Sequence, residues 1–311
     1  MSALGGLRPV EEIVIVDDGS TDQTLKVARS MADEHSCVTV STQPEPGGAA
    51  AARLRGARLA RNEWIALLDS DDYLSPDAVS DAYDAAISHA AEVSVWAVYR
   101  ESCGIIRPFL LTKDFQRPMT GREATRLTLG DWKLPAVGVM RRDLFVDASE
   151  RVNVDSFNED ELVSRELLFA ASRVAAGPGT YFYVDNVDST TQSQSTDRSG
   201  LAASHRWLLE FSAGNSFFKD EPQLAAVLVR HGIKVARTFF DASDPKRDVL
   251  RQPAEVRKLV AALQAHAPPA WRCGFREIYR GLRGRSVRHE VRSLALGVNE
   301  SMSDPADESH P

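Results

Sequence analysis

Two apolar runs in this chain stop abruptly in carboxylates. Residues 13–22 read IVIVDDGSTD and residues 64–72 read WIALLDSDD. An apolar run of this length is the pattern of a strand buried on both faces, which belongs to a sheet covered by helices. In open α/β folds the ligand crevice lies beyond the carboxyl ends of the strands. Two such strands would bring Asp17, Asp18, Asp69, Asp71 and Asp72 to one crevice. Carboxylates gathered there repel one another and need a cation or a network of donors. Taken singly, each segment has a blander reading, GST as a helix-start turn and DSDD as a solvated loop. Both together, in this order, point to a site.

The first half of the chain alternates. A strand near 13–17 leads to a helix near 22–34 capped by Ser20, Thr21 or Asp22, and CVTVST (37–42) reads as a strand. Gly47-Gly48 turns into an Ala- and Arg-rich helix over 49–61, followed by the strand 64–69. A helix begins at Ser75-Pro76, and EVSVWAVY (92–99) is a further strand. Such alternation predicts a mostly parallel sheet. Further on, 136–141 reads as a strand, RDLF as a short helix, 158–176 as one helix and TYFYVD (180–185) as a short strand. Beyond about residue 200 the pattern is helical, over 201–219, 222–241, 253–266 and 271–297, with breaks at prolines. The expected organisation is an α/β domain over 1–198, a helical region over 199–298 and a disordered tail over 299–311.

Composition narrows the classes. A net charge of −7 carries no nucleic-acid signature. Cys37, Cys103 and Cys273 are odd in number and far apart, which suits a reducing compartment and forms neither a disulfide framework nor a zinc site. The seven histidines lack ligand spacing. Without a long apolar stretch or the apolar core of a leader at MSALGGLRP, the expectation is a cytoplasmic protein.

VDDGSTD, a Gly–Arg helix, LLDSDDYLSPDAV and an acidic NEDE helix follow one another in an order that resembles the family 2 inverting glycosyltransferases of GT-A fold. The resemblance covers about residues 5–195. GGAAAARLRG matches the family's Gly-x-Ser-x-x-Arg-Asn-x-Gly segment at Gly48, Arg53 and Gly56, and FNEDELVSRELLFAASRVAAGPGTYFYV matches its Glu-Asp helix and the stretch after it. It implies a GT-A, Rossmann-like α/β fold that moves a sugar from a nucleotide-diphosphate sugar to an acceptor hydroxyl, using Mn²⁺ or Mg²⁺. Asp71 is the expected metal ligand, with Asp69 on the metal's water or the ribose. Asp17 and Asp18 are expected at the nucleotide, Asp18 on its base or ribose. Asp72 is expected to point away. Arg53 is placed to neutralise the diphosphate, an equal alternative being a solvated helix arginine beside Arg55 and Arg58.

Inverting transfer needs a general base for the acceptor hydroxyl. The family match is Asp160. Glu159, Asp160 and Glu161 are about 100° apart on a helix, so only one of them aims into a cleft. The ordinary alternative is an acidic first turn that suits a helix N-terminus. Trp132 is a weaker candidate for the acceptor pocket.

The chain also departs from the family. Only about a dozen residues precede the VDDGS strand, where the family has a strand and a helix. Residues 1–12 are not expected to replace that strand, leaving a gap beside VDDGS or a substitute from elsewhere. Leu54 and Val184 stand where the family has Asn and Arg. These departures keep an alternative open, a catalytically weak GT-A-like binding subunit of a glycan pathway. A nucleotidyltransferase would show a Gly-rich phosphate loop at its first strand, and none is visible. Residues 272–292 carry seven arginines against two glutamates beside an apolar face, which fits peripheral contact with the inner membrane surface or a solvated helix. The expected partners are a nucleotide sugar and a saccharide, lipid-linked or small-molecule acceptor.

Overall fold

The computed structural model describes residues 8, 10–43, 45–129, 137–152, 159–185, 199–220, 222–238 and 254–266, and every structural statement concerns these. The chain divides into two compact units, 1–197 and 198–311.

In the first unit, β1 (Ile13–Asp17), α1 (Thr24–Glu34) and β2 (Val38–Thr42) form a right-sized β–α–β unit. Its strands run parallel, with Ile13 opposite Val38 and Asp17 opposite Thr42. The Asp22 carboxylate accepts the Thr24 N–H at 2.9 Å and so satisfies one of the free amides at the start of α1. After α2 (Gly48–Leu59) come β3 (Trp64–Ala66), β4 (Tyr73–Leu74), α3 (Ala78–Ser88), β5 (Val93–Ser102) and β6 (Ile105–Leu110). A 3₁₀ turn over Thr112–Phe115 leads to α4 (Gly121–Leu129), β7 (Val137–Arg141), α5 (Arg142–Val152), α6 (Glu159–Ala170) and β8 (Val174–Val184).

The fold is α/β as expected, but its sheet is mixed. β1–β2 and β5–β8 are parallel, whereas β3–β7, β4–β8, β5–β6 and β5–β7 are antiparallel. The main sheet runs β3-β7-β5-β8-β4, with β6 on the remaining edge of β5. Among the described residues β1 pairs only with β2, and β3 only with β7. Helix α2 joins the two sheets. Its Gly56 lies against Val16 of β1, and its Ala57 belongs to the main core.

Each face of the main sheet has its own core. On one, Trp96, fully buried, packs with Leu74, Ala78, Ala82 and Val139 beneath α3. On the other, Val93, Val95, Met140 and Val174 pack against Phe145 of α5 and Leu167 and Leu168 of α6. Glycine makes the first layer possible. A Cβ at Gly179 would lie 2.5 Å from Trp96 Nε1 and 2.9 Å from the Ala78 carbonyl.

Several elements differ from expectation. The helix expected over 158–176 stops at Ala170, and its last residues open β8, an eleven-residue strand where a short one was expected. Alanine-rich AAG is helix-like in isolation, but flanked by the buried Val174 it pairs along β5. RDLF extends into an eleven-residue helix, and 201–219 breaks into two helices. Neither β6 nor α4 is visible in the sequence pattern. The β5–β6 hairpin turns at Cys103 and Gly104, both at positive φ, and Pro108 masks the strand that follows.

The second unit contains α7 (Ser199–Gly214), α8 (Phe217–Asp220), α9 (Pro222–Thr238) and α10 (Ala254–His266). Its core is aliphatic, from Leu208, Leu209, Leu228, Val229, Leu259 and Leu263. The basic segment 272–292, Trp132 and the tail lie outside the described residues. No helix among the described residues is long and apolar enough to cross a membrane.

The first residue of α4 tests this packing. A Cβ at Gly121 would sit 2.1 Å and 2.2 Å from the carbonyl oxygens of Leu168 and Ala171, backbone atoms that cannot rotate away. Gly121→Ala should therefore destabilise by about 2–4 kcal/mol, measured as a lowered urea midpoint. Wild-type stability would mean that α4 does not approach the end of α6 so closely.

Candidate functional site

The carboxyl end of β1 is built around two adjacent acids in different states. Asp18 accepts from Gln43 Nε2 at 2.5 Å and from the Gly47 N–H at 2.7 Å through one oxygen, and from the Gly48 N–H at 2.8 Å through the other. It thus clamps the entry of α2, whose first residue, Gly48, sits at φ +81°. That conformation costs glycine least. The Gly47 N–H is the main reason the Asp18 carboxyl is held below the usual carboxylate range, and the Gly48 and Gln43 bonds add to it. Asp17 is buried at 5% exposure, and its Oδ1 has no hydrogen-bond partner among the described residues. An unsatisfied buried carboxylate oxygen is costly, and Asp17 Oδ1 is the acceptor that this edge leaves without a donor. The sequence assigned base or ribose contact to Asp18; three donors of the chain engage it, two at Oδ1 and one at Oδ2, which leaves Oδ2 room for one more.

The second acidic end begins just beyond β3. Arg53, on the second turn of α2, grips Asp69 with Nη2 at 2.9 Å and 2.8 Å from the two carboxylate oxygens and Nε at 3.2 Å from one of them. Arg53 is therefore not a solvated helix arginine. Gly48 and Arg53 are five residues apart, a rise of about 7.5 Å along the helix. The first two turns of α2 consequently touch both acidic ends, although the strands that carry them share no hydrogen bond.

Asp72 is engaged by the chain itself. It is half-buried, accepting the Tyr181 hydroxyl at 2.5 Å and the Val184 N–H at 2.9 Å. The same Tyr181 oxygen accepts the Asp69 N–H at 3.3 Å, so one phenol spans the Asp69–Asp72 turn. Burial pushes the Asp72 carboxyl up, against the lowering effect of its two donors. Burial also pushes the Tyr181 phenol up, which keeps it protonated as the donor. Position 184 contributes its backbone amide here, a bond that valine makes as well as arginine. Tyr181 was not singled out in the sequence, although its place in TYFYVD on the strand beside β4 was the available signal.

Asp71 is the remaining acid of the loop. It is exposed, and no side chain or amide among the described residues engages it. No group of three or more His, Cys, Asp or Glu side chains able to hold a metal occurs among the described residues. The donor set fits a hard divalent cation held by one free carboxylate and a phosphate ligand, rather than an all-protein cage.

The acidic helix start is α6. Asp160 is exposed, and its Oδ1 accepts the Glu161 N–H at 2.8 Å. Glu161 turns inward to the fully buried Arg165, 2.6 Å away. Burial raises the Glu161 carboxyl and lowers the Arg165 guanidinium, each held back by its partner's charge. Of these two acids only Asp160 faces solvent. No described contact joins it to the Asp69–Asp72 loop.

Together, the mixed sheet, the acidic strand ends and the helical second unit define a GT-A fold. Residues 2–143, a little under half of the chain, match the family described as Glycosyl transferase family 2. Glycosyltransferase GlyG of Streptococcus pneumoniae is 28% identical over 182 residues, covering 55% of this chain and 60% of GlyG. The chondroitin synthase of Escherichia coli is 34% identical over 113 residues, covering 36% of this chain and 16% of the synthase. The chain thus spans three fifths or less of these relatives. The crystal structure of S. aureus TarS 1-349 in complex with UDP-GlcNAc superposes with a TM-score of 0.60 at 18% identity, covering 91% of this chain and 82% of TarS 1-349. At that identity the likeness concerns the fold.

The Asp18 clamp has a definite pH signature. Its folded pKa is depressed, so its contribution is present above the unfolded value, near 4, and is lost as pH falls through the folded value. Asp18→Asn removes this contribution. The variant should be less stable at pH 7, and its stability should fall less steeply than the wild type's below about pH 4. Urea midpoints at pH 7, 4 and 3 measure both. Parallel pH profiles would show that Asp18 does not clamp α2.

Proposed function

We propose that this protein transfers a sugar from a nucleotide-diphosphate sugar to an acceptor hydroxyl with inversion, in the assembly of a polysaccharide or glycolipid or in decoration of a metabolite. One observation carries the reading: three acids in four residues are separated in role, Asp69 held by Arg53, Asp72 by Tyr181, and Asp71 left exposed and free. The family match, the glycosyltransferase relatives and the UDP-GlcNAc bound by TarS support a nucleotide-sugar donor.

In this reading Asp17 Oδ1 accepts a hydrogen bond from the nucleotide, and Asp71 is the residue that would hold Mn²⁺ or Mg²⁺. The cation supplies Lewis-acid stabilisation of the departing diphosphate. Arg53 keeps Asp69 oriented and adds positive charge beside the phosphates. Asp160 takes the proton from the acceptor hydroxyl as its oxygen attacks the anomeric carbon from the face opposite the leaving group. Glu159 shares the first turn of α6, and Glu161, paired with Arg165, is not the base. The binding-subunit alternative draws on the Arg53–Asp69 ion pair, which occupies one acid of the site.

Calorimetric titration with UDP, GDP and dTDP, each with and without Mn²⁺, tests the donor reading. One nucleotide should bind more tightly with Mn²⁺, and Asp71→Asn should abolish that increment while the metal-free affinity and the fold persist. An unchanged Mn²⁺ increment would exclude Asp71 as the ligand. Asp160→Asn should keep nucleotide affinity and lower transfer by about 10²–10⁴-fold. Full turnover in that variant, with loss in Glu159→Gln, would move the base to Glu159, and no turnover in the wild type would favour the binding subunit.

A further inference from the structure

The β5–β6 hairpin ends in apolar side chains that stay in solvent. Ile105 is 54% exposed, Ile106 48% and Phe109 53%, in a strand whose residues 105–109 are all exposed. Among the described residues β6 pairs only with β5, so its outer edge is open. Residues 102–106, at the tip, read SCGII and carry no charge. The chain turns there at Cys103 and Gly104, at φ +51° and +74°. A contiguous exposed apolar patch marks an interaction surface.

Cations stand behind this tip. Ser102 is opposite Ile105, and two residues back Arg100 is opposite Arg107. At about 3.4 Å per residue, the arginine level lies about 7 Å behind the Ser102–Ile105 level. Like charges directly opposite on neighbouring strands are destabilising. The nearby acids do not resolve this pair. Asp185 Oδ1 is bound by Arg100 Nη2 at 2.6 Å, and Glu101 accepts the Tyr73 hydroxyl at 2.7 Å. Arg107 is exposed, with no partner among the described residues. The Arg100 guanidinium lies 5.8 Å from the Phe109 ring and 6.0 Å from the Tyr183 ring.

Two features decide what covers the tip. Ile105 and Ile106 are consecutive in a strand, so they point to opposite faces of the hairpin. One flat protein partner would cover one of them, whereas a fluid apolar medium covers both. The layering, apolar tip first and cations about 7 Å behind, matches a segment that sinks about 5–10 Å into the boundary between lipid headgroups and acyl chains. A second copy paired along the open edge of β6 would bring two Arg100–Arg107 pairs into one sheet and add to their repulsion.

We propose that the tip of the β5–β6 hairpin docks this protein on a phospholipid bilayer with anionic headgroups. Ile105 and Ile106 enter the headgroup–acyl boundary, and Arg100 and Arg107 meet the lipid phosphates, Arg107 supplying the uncompensated charge. The contact is separate from the basic segment 272–292. Docking brings the acidic loop to the bilayer side of the sheet, because Asp72 accepts the Val184 N–H and Val184 stands opposite Glu101.

Flotation of the full chain with equimolar phosphatidylcholine–phosphatidylglycerol vesicles tests this. The wild type should bind them, and bind pure phosphatidylcholine vesicles more weakly. Ile105→Ser combined with Ile106→Ser should lower the affinity about tenfold or more. Arg107→Gln should lower it about fivefold, and Arg107→Lys should keep it. The urea midpoints of all variants should equal that of the wild type, since the substituted side chains are exposed. If the serine pair lowers the midpoint, Arg107→Gln carries the test alone. No binding by the wild type, equal binding to both kinds of vesicle, or wild-type affinity in Arg107→Gln or in a stable serine pair overturns the proposal. So does a wild type that is dimeric by light scattering, becomes monomeric in the serine pair and binds no vesicle. None of these readouts needs a nucleotide, so the outcome is independent of the donor reading.

Discussion

Helix α2 is the member on which the acidic site depends. β1 and β3 end in the carboxylates that define the site, yet no hydrogen bond joins these strands among the described residues. Their ends are held by one helix, Asp18 by the amides of Gly47 and Gly48 and Asp69 by Arg53. Both contacts are charge-assisted, and the Arg53 grip meets both oxygens of its carboxylate, which fixes direction as well as distance. The far end of α2 is secured in the same way. Glu12, just before β1, accepts the Arg61 N–H at 2.8 Å and the Arg61 side chain at 2.9 Å. A helix tied at both ends to one strand, and at its second turn to the next acidic loop, sets the separation of the two loops without a shared sheet.

The acids of the site are distinguished by their surroundings. Mutual repulsion of Asp69, Asp71 and Asp72 is relieved by neutralising Asp69 with a guanidinium, leaving Asp71 in solvent and giving Asp72 two neutral donors. These solutions are not equivalent. The Arg53–Asp69 pair is only partly buried and adds modest stability, whereas a half-buried carboxylate stripped of its donors would bear a desolvation cost of about 1–3 kcal/mol. The Tyr181–Asp72 bond is therefore the more structural of the two, and the Arg53–Asp69 pair the more readily exchanged.

The legible part of this architecture was periodic or punctuated. IVIVD and VTVST announced β1 and β2, and the acids after WIALL announced a strand end, because those patterns are local. What stayed hidden depended on partners distant in sequence. The strand Val174–Val184 contains Gly177 and Gly179, which weaken a strand on propensity; they are there because α3 and Trp96 press against the backbone. β6 is exposed along almost its whole length and contains a proline, so neither alternation nor burial marks it. Asp72 looked like a loop residue since nothing nearby in sequence can bond it; Tyr181 lies 109 residues away. Arg53 was legible as a cation facing phosphates or solvent, but its grip on Asp69 needed the pairing of α2 with the end of β3. Asp160 and Asp71 remain as the sequence presented them, exposed acids whose roles rest on chemistry.

β4 shows how the acidic loop is fixed to the main sheet. It is only two residues long, Tyr73 and Leu74, and would not persist alone. It is held by pairing with β8, by Leu74 in the buried layer around Trp96, and by the Tyr73 ring stacked on Phe182. Its alternation sends Leu74 and Tyr73 to opposite faces, so the acidic loop is anchored by the core on one face and by the Phe182 ring on the other. Asp72 is bonded to Tyr181 and to the amide of Val184, which flank Phe182 on the same strand. The Asp69–Asp72 loop and β4 are therefore both fastened to β8 within four residues, and the pairing of β8 with β5 sets where the loop stands on the sheet.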